Sequence, residues 1–424
     1  MACPGLSHLD GQAFRGVYHL DDGRSIKAVH TSMDQPSLRC VQHLDGQAIE
    51  VHTDPKIGGY ALVLELKKAI YGLKQSSLAW YNRLSTFLTS IGFSVSVADP
   101  CVFWRTNAQP TWIFAHVDDL IIFSKNPSVF RAEMENEFKI KYLGEASFLL
   151  GMKLDRVNGS LVLHQSQYIE RKLAEFDISH LHHSTVPLNP KSHLQTATNQ
   201  EIAQLSNISV SYRALIGSLN YLSVLTRPDI SYAVSKLSQF LDRPGIRHYT
   251  AAIQVFRYLK GTMHQGLLFK NKGCSPLNIH VDADWGNCPD TQRLHTGYLS
   301  MVNSHIVSWK STKQSTVSHS TTEAEYKALT DAGKEACWII NLTKEIRIHT
   351  KGINPPTICI DNRGALDLAR SEISQNGFRT KHMDLWLHFV RKLLRQNIVQ
   401  TKYVTSQSNQ ADFLTKPVGR LIIR

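Results

Sequence analysis

Between Ile279 and Tyr326 the sequence IHVDADWGNCPDTQRLHTGYLSMVNSHIVSWKSTKQSTVSHSTTEAEY carries acids where a metal site would use them. A short apolar strand ends on Asp282 and Asp284, two strand-like runs follow (Gly297–Val302 and Ile306–Trp309), and an acid-rich helix then begins. Ser320 and Glu323 have capping-box spacing, in which Glu323 reaches back to the cap N–H. At helical spacing Glu325, Leu329, Ala332, Ala336, Ile339 and Ile346 form one stripe, with Glu323, Lys327, Thr330 and Lys334 on the polar side. Glu325 therefore points inward, where a carboxylate is destabilising unless something positive meets it. Two isolated acids follow. Asp361 ends the apolar run TICI, and Asp412 falls in the first turn of a short helix capped by Ser408 or Asn409 and stopped by Pro417. Four such carboxylates suit two Mg²⁺ ions about 4 Å apart, one activating water and one stabilising the leaving oxygen of a phosphodiester.

A second acidic feature lies upstream. In TWIFAHVDDLIIFS two β-rich arms meet at Asp118 and Asp119. Aspartate is common in turns. Here, however, apolar runs on both sides place the turn at the end of a buried sheet, and a metal–phosphate complex would relieve the repulsion between the two acids.

The elements that must position these groups come from a chain of 424 residues, enough for two or three domains. No run of eighteen apolar residues occurs, which excludes a membrane-spanning helix of the usual kind. The N-terminus MACPGLSHLDGQ has no secretory pattern, and the seven cysteines form no C-x-x-C pair. The expected location is intracellular, cytoplasm or nucleus, and not secreted. A net charge of +12 fits a polyanionic partner. Residues 1–56 are polar and interrupted, with HLDGQA at His8–Ala13 and again at His43–Ala48. From Leu62 the pattern gives a strand, a glycine-containing turn and a helix with Leu78, Tyr81, Leu84, Leu88 and Ile91 on one face. Residues 211–269 read as helices bearing Lys236, Arg243, Arg247, Arg257 and Lys260. With the helix Lys381–Arg395, whose Arg391, Lys392 and Arg395 oppose Met383, Leu387, Val390 and Leu394, these are expected to form a track for a duplex backbone. The Ser179–Gln200 loop holds His180, His182, His183 and His193 without paired ligand spacing, and reads as a linker.

The segments HVDADWGNCPDTQRLHTGY, IVSWKSTKQSTVSHSTTEAEY, ICIDNRGAL, RTKHMDLWLHFVR and NQADFLTK together resemble the ribonuclease H domain of Ty1/copia-type retrotransposon polyproteins, from about Ser275 to Val418. LKKAIYGLKQSSLAWYNRL, HVDDLIIFS, FKIKYLGEASFLLGMKL and YRALIGSLNYLSVLTRPDISYAVSKLSQFLDRP resemble the palm, thumb and connecting region of the same family's reverse transcriptases. The resemblance implies an α+β / α/β chain, with a palm remnant and helical thumb or connection followed by a ribonuclease H-like mixed sheet flanked by helices. Its expected boundaries are 1–56 poorly ordered, 57–200 truncated palm, 201–273 thumb/connection and 274–424 ribonuclease H-like.

By that resemblance Asp282, Glu325, Asp361 and Asp412 are the metal-binding catalytic acids, with Asp284 and Glu323 as neighbours. Asp118 and Asp119 would bind the polymerase metals, in a hairpin where His116 replaces the family's aromatic residue. The family's earlier palm segment, similar to D-V-x-x-A-F-L-x-G, has no counterpart except Asp45 in QHLDGQAIE, and the fingers are missing. The expected activity is therefore Mg²⁺-dependent hydrolysis (Mn²⁺ as substitute) of the RNA strand of RNA–DNA hybrids, leaving 3′-hydroxyl and 5′-phosphate ends, with DNA synthesis lost. An inactive remnant that only binds nucleic acid is the alternative. A second polyprotein subunit supplying the fingers is a further partner. The glutamate stands second among the four acids, which excludes the Asp, Asp, Glu order of a strand-transfer enzyme.

Overall fold

The computed structural model describes residues 49–53, 62–66, 73–106, 110–190, 192, 194–270, 276–284, 293–318, 320–347, 355–371 and 384–419. Both HLDGQA copies, Asp45, Met383 and His193 lie outside the described residues. The chain divides by packing into two compact units, residues 1–146 and 147–424.

In the first unit, β1 (Ile49–Thr53) and β2 (Leu62–Leu66) pair antiparallel. The helix α1 (Ser76–Ser90) is followed by β3 (Ser94–Val95), β4 (Val102–Arg105), β5 (Thr111–His116), β6 (Asp119–Ser124) and α2 (Pro127–Glu135). Strands β3 to β6 form an antiparallel sheet in sequence order. Alternation along β4 and β5 turns Phe103, Ile113 and Ala115 onto Leu84 and Leu88 of α1 and Phe130 and Met134 of α2. Leu78, expected on the buried face of α1, is half exposed because the helix meets the sheet only from its second turn onward.

The second unit opens with β7 (Phe148–Leu149), β8 (Met152–Val157) and β9 (Ser160–His164), then the helices α3 (Ser166–Glu175), α4 (Asn199–Ser206), α5 (Tyr212–Leu225), α6 (Ser231–Ser238) and α7 (Ile246–Gly261). A strand β10 (Leu267–Phe269) returns to pair with β9. Leu215, Leu219, Val234, Leu237, Val255 and Phe256 make one helical core. Beside it the buried Arg227 guanidinium donates to Asp229 Oδ1 and Oδ2 (2.9 and 2.7 Å) and to the Thr262 carbonyl, while Tyr258 Oη donates to Asp229 Oδ2 at 2.8 Å.

The expected basic track is largely spent inside this bundle. Lys236 is buried, and Arg247 is paired with Glu201. Arg257 donates to the His182 carbonyl at 2.6 Å, and Lys260 to the Ser179 and Leu181 carbonyls at 2.7 and 2.9 Å. Arg243 remains exposed and donates to Asn199. The physical reason is the 179–190 loop, whose carbonyls need donors once it lies against α7. That loop is therefore seated on the bundle, with Leu188 and, just beyond the loop, Leu194 in its core.

The rest of the unit is a five-stranded mixed sheet: β11 (Asn278–Asp284), β12 (His295–Val302), β13 (His305–Lys313), α8 (Thr321–Glu345), β14 (Thr357–Ile360), α9 (Arg363–Arg370), α10 (Asp384–Arg395) and β15 (Gln400–Tyr403). The order across it is β13-β12-β11-β14-β15, antiparallel for the first three strands and parallel from β11 to β15. This is the mixed, helix-flanked sheet the resemblance implies. Trp309 Nε1 donates to the Ser223 carbonyl at 2.7 Å, and His295 Nε2 lies 3.0 Å from Ser235 Oγ, which ties the sheet to the bundle.

The α8 stripe is buried as expected at Glu325, Leu329, Ala332 and Ala336, but Glu323, Lys327 and Thr330 are buried too. The cause is α10, which covers the opposite flank closely enough that a Cβ on Gly333 would come 3.1 Å from Leu393. Ser320 Oγ accepts from the Glu323 N–H, and the Glu323 carboxylate is ion-paired with Lys327 Nζ at 2.9 Å.

Arg227→Met leaves the Asp229 carboxylate buried without its cation, which is expected to cost about 3–5 kcal/mol. Urea unfolding of the full chain checks this.

Candidate metal centre

The parallel register sets the first two acids. Ile279 lies opposite Ile358 and His280 opposite Cys359, so continuing the same offset brings Asp361 beside Asp282 at the carboxyl ends of β11 and β14. Asn362 Oδ1 then caps α9 by accepting from the Ala365 N–H at 2.9 Å, which turns the chain immediately after Asp361.

The third acid comes from α8. Its first turn is fixed by the Ser320 cap and by a buried polar network. Gln314 Nε2 donates to Thr296 Oγ1 and the Ala324 carbonyl, Ser318 Oγ donates to Gln314 Oε1, and Lys327 Nζ donates to Ser318 and Thr316. Glu325 is thereby aimed at the strand ends. Asp282, Glu325 and Asp361 each offer an oxygen within 4.8 Å of the others, and this is the one such group of three among the described residues.

Asp412 arrives in the first turn of a short helix, as expected, which is a single 3-10 turn, Asp412–Leu414. Asn409 does not cap that turn directly; its Oδ1 accepts from the Ala411 N–H, and its Nδ2 donates to the Val281 carbonyl of β11 at 2.8 Å. The turn sits over Gly297, the register partner of Asp282, where a Cβ would come 2.7 Å from the Leu414 Cβ. Asp412 is outside the group of three but adds to the negative charge felt by Asp282.

The electrostatics follow from crowding. Burial pushes the Asp282 carboxyl up to about 6, opposed by the Thr415 hydroxyl, which donates to Asp282 Oδ2, and by Lys416, and reinforced by Asp412 and Asp361. Burial, then Asp282 and Asp361, raise Glu325 well above the usual carboxylate range. Glu325 Oε2 and Asp412 Oδ1 are both buried without a hydrogen-bond partner. Lys416 Nζ meets Asp412 Oδ2 at 3.0 Å. Thr415 and Lys416 were not singled out in the sequence, although Lys416 stands four residues after Asp412, at ion-pair spacing. Asp284 ends β11 outside the group of three, and Glu323 is held by Lys327.

The other acidic pair closes the β5–β6 hairpin, with His116 opposite Asp119 and a two-residue Val117–Asp118 turn. Val117 has φ +54°, and its carbonyl accepts from Trp80 Nε1 at 2.6 Å. Burial, then Asp118, push Asp119 up to about 6. Among the described residues no third acid joins this pair within ligand reach. Nor do the loop histidines join any metal-ligating group among the described residues.

A family profile described as reverse transcriptase (RNA-dependent DNA polymerase) matches residues 54–190. The chain is 34% identical over 362 residues to the retrovirus-related Pol polyprotein from transposon RE1 of Arabidopsis thaliana, covering 84% of this chain and 24% of that protein. It is 32% identical over 434 residues to the corresponding polyprotein from transposon TNT 1-94 of Nicotiana tabacum, covering 96% of this chain and 32% of that protein. The chain thus spans about a quarter to a third of these relatives. The N-terminal RNase H domain of a Mycobacterium tuberculosis protein aligns with 34% of this chain and 91% of its own length, at 13% identity and a TM-score of 0.26.

Two outcomes are expected. In EDTA the raised Asp282 carboxyl makes the folded chain bind more protons than the unfolded one between about pH 4 and 6, so this group's contribution falls as pH rises through that window. Asp282→Asn should accordingly raise stability at pH 7 by up to about 3 kcal/mol, read from denaturant midpoints at pH 5 and 7. Gly297→Ala, which forces the Asp412 turn off the sheet, should destabilise by about 1–3 kcal/mol in the same assay.

Proposed function

The chain belongs to the Pol polyproteins of copia-type retrotransposons, and from that premise we propose that it hydrolyses the RNA strand of RNA–DNA hybrids through the four acids of its C-terminal sheet. The observation that carries this reading is the convergence of Asp282, Glu325 and Asp361 within 4.8 Å, from three separate stretches of sequence. The same proposal assigns residues 57–200 to a truncated palm, 201–273 to the thumb and connection, and 274–424 to the ribonuclease H-like part.

The donor set fits Mg²⁺, with Mn²⁺ as a substitute. It offers only hard oxygen ligands, and a buried Glu325 oxygen has no other partner. Asp282, Glu325 and Asp361 would hold the ions, with Asp412 beside them. When bound, the ions supply a nucleophilic water at neutral pH and stabilise the leaving oxygen. The chain's own groups do the rest. Thr415 fixes one oxygen of Asp282 so that the other faces the cluster, and Lys416 moderates the negative field. The buried walls keep bulk water from screening the site. RNA is selected over DNA by its 2′-hydroxyl and by the shape of an A-form-like hybrid, without sequence preference.

The polymerase half is defective in this proposal. Asp118 and Asp119 stand as a pair, and a two-metal clamp for nucleotidyl transfer needs a further carboxylate. A second polyprotein-derived subunit is the partner that would supply the fingers.

Purified chain should cleave a labelled hybrid in Mg²⁺, and Asp361→Asn should lower that rate by at least about a hundredfold. Cleavage no faster than the variant's would make the chain a nucleic-acid-binding remnant. Primed RNA template should show no dNTP incorporation above an Asp118→Asn background; extension above it would overturn the polymerase half of the proposal.

A further inference from the structure

Lys416 Nζ lies 3.0 Å from Asp412 Oδ2, the one ion pair that any of the four acids makes among the described residues. The pair is built into a single turn. The Thr415 and Lys416 N–H groups both donate to the Asp412 carbonyl, at 3.2 and 3.3 Å, and Pro417 restricts the Lys416 backbone from the other side. Its two ends differ in freedom. Only 15% of the Asp412 side chain is exposed, against 37% of the Lys416 side chain, which ends a flexible four-carbon stem. The acid is therefore fixed, and the cation can leave.

Neighbouring residues occupy one oxygen of each of two acids, since Thr415 donates to Asp282 Oδ2 while Lys416 holds Asp412 Oδ2. Asp282, Glu325 and Asp361 share a space no wider than 4.8 Å, which Asp412 does not enter, and Glu325 Oε2 is buried there without a partner. One part of the cluster is open to a cation, and another already has one. Charge then limits how many ions the cluster can hold. With all four acids ionised, as metal ligands must be, Lys416 leaves three negative charges uncompensated. One divalent ion reduces these to one, and a second overshoots to one positive charge, which in a largely buried site needs an anion beside it. A phosphate of a bound strand is such an anion, and a lysine binds phosphate as a point charge.

We propose that Lys416 is an exchangeable counter-ion, which occupies the Asp412 corner of the cluster until a backbone phosphate of bound nucleic acid draws it off, so that the second divalent ion is taken up together with the strand. This regulation rests on the two-ion ribonuclease reading above. Without nucleic acid, Asp282, Glu325 and Asp361 hold one ion and Asp412 stays with Lys416. With a strand in place the ammonium pairs with the phosphate, and Asp412 Oδ2 joins the unpartnered Oδ1 as an available ligand. The complete two-ion site then exists only when the strand is bound. Coupling of this kind is reciprocal, so the second ion tightens the strand by the factor by which the strand tightens the ion.

The test counts Mn²⁺ bound to the full chain through the EPR signal of the free ion, in a parent carrying Asp118→Asn and Asp119→Asn so that the hairpin acids add no site. Without nucleic acid this parent should bind one ion, with a second at least about tenfold weaker. Lys416→Met should tighten the second ion about tenfold and shift the first by less than about twofold. Lys416→Arg, which keeps the charge, should bind as the parent does. A hybrid whose RNA strand is 2′-O-methylated, and so not cut, should tighten the second ion about tenfold in the parent and leave it unchanged in Lys416→Met. Melting curves establish that each variant is folded, and Lys416→Gln serves if Lys416→Met is not. Two equal ions in the parent, an unchanged second ion or an equal gain at both in Lys416→Met, or the same hybrid effect in variant and parent would overturn the exchange. If the shifts appear while the chain with its hairpin acids intact cleaves no hybrid in Mg²⁺, the exchange stands and the ribonuclease reading fails. Cleavage without the shifts gives the reverse.

Discussion

Mutual repulsion among carboxylates is the constraint on which this structure turns. Two unit charges 4 Å apart in a partly buried setting repel by about 4 kcal/mol, and Asp282, Glu325 and Asp361 form three such pairs within 4.8 Å. Without a cation the chain relieves this by raising Asp282 and Glu325 out of the ordinary carboxylate range, and by bringing the Lys416 ammonium and the Thr415 hydroxyl to the cluster. Those devices lessen the strain without removing it, since one oxygen each of Glu325 and Asp412 is left buried and unpartnered. Groups that repel stay together only when the frame around them is stiff.

The stiffness comes from contacts distant in sequence. Parallel pairing of β11 with β14 fixes Asp282 against Asp361, and the Gln314–Ser318–Lys327 network locks the first turns of α8 so that Glu325 cannot swing away. Asn409 pins the last loop to the Val281 carbonyl, and the missing side chain at Gly297 lets the Asp412 turn lie directly on β12. The helical bundle adds support from the far side, where Trp309 reaches the Ser223 carbonyl and Lys313 reaches Gln239. Removing any one of these would widen the cluster, which is the direction its own charge already favours.

Much of this was legible from residue order. Strand-end acids, the inward Glu325 and the Ser320 cap follow from local periodicity, because a strand repeats every two residues and a helix every 3.6. What periodicity cannot see is a second partner. Glu323 and Lys327 read as a solvated face of α8, and only the approach of α10 across Gly333 turns them into a buried pair. The basic residues of α7 read as a phosphate track for the same reason, since nothing in their spacing announces that the 179–190 loop returns to take up Arg257 and Lys260. Thr415 and Lys416 act through a turn whose placement depends on a strand more than a hundred residues earlier, as the 133-residue separation of Thr415 from Asp282 makes plain. The cap expected before the Asp412 turn takes a different form, with Asn409 Oδ1 accepting from the Ala411 N–H one residue ahead of it.

The two acidic sites differ in how they are held. Asp118 and Asp119 are neighbours in a hairpin, so their proximity is local and survives whatever happens elsewhere in the chain. Any further carboxylate for that pair would have to come from another segment, because the hairpin itself holds only these two acids. Its core of Leu84, Leu88, Phe103, Ile113 and Phe130 is separate from the core under the C-terminal sheet, where Ile279, Val281, Tyr326, Leu329, Ile358 and Ile360 pack. The C-terminal acids have no such independence. Each arrives from its own strand, helix or turn, and every one of those elements either belongs to that core or is pinned to it. Damage to any of them would lower the stability of the sheet as well as the geometry of its acids. The hairpin pair thus depends only on local chain geometry, whereas the C-terminal acids keep their positions only while the sheet and the elements pinned to it stay folded.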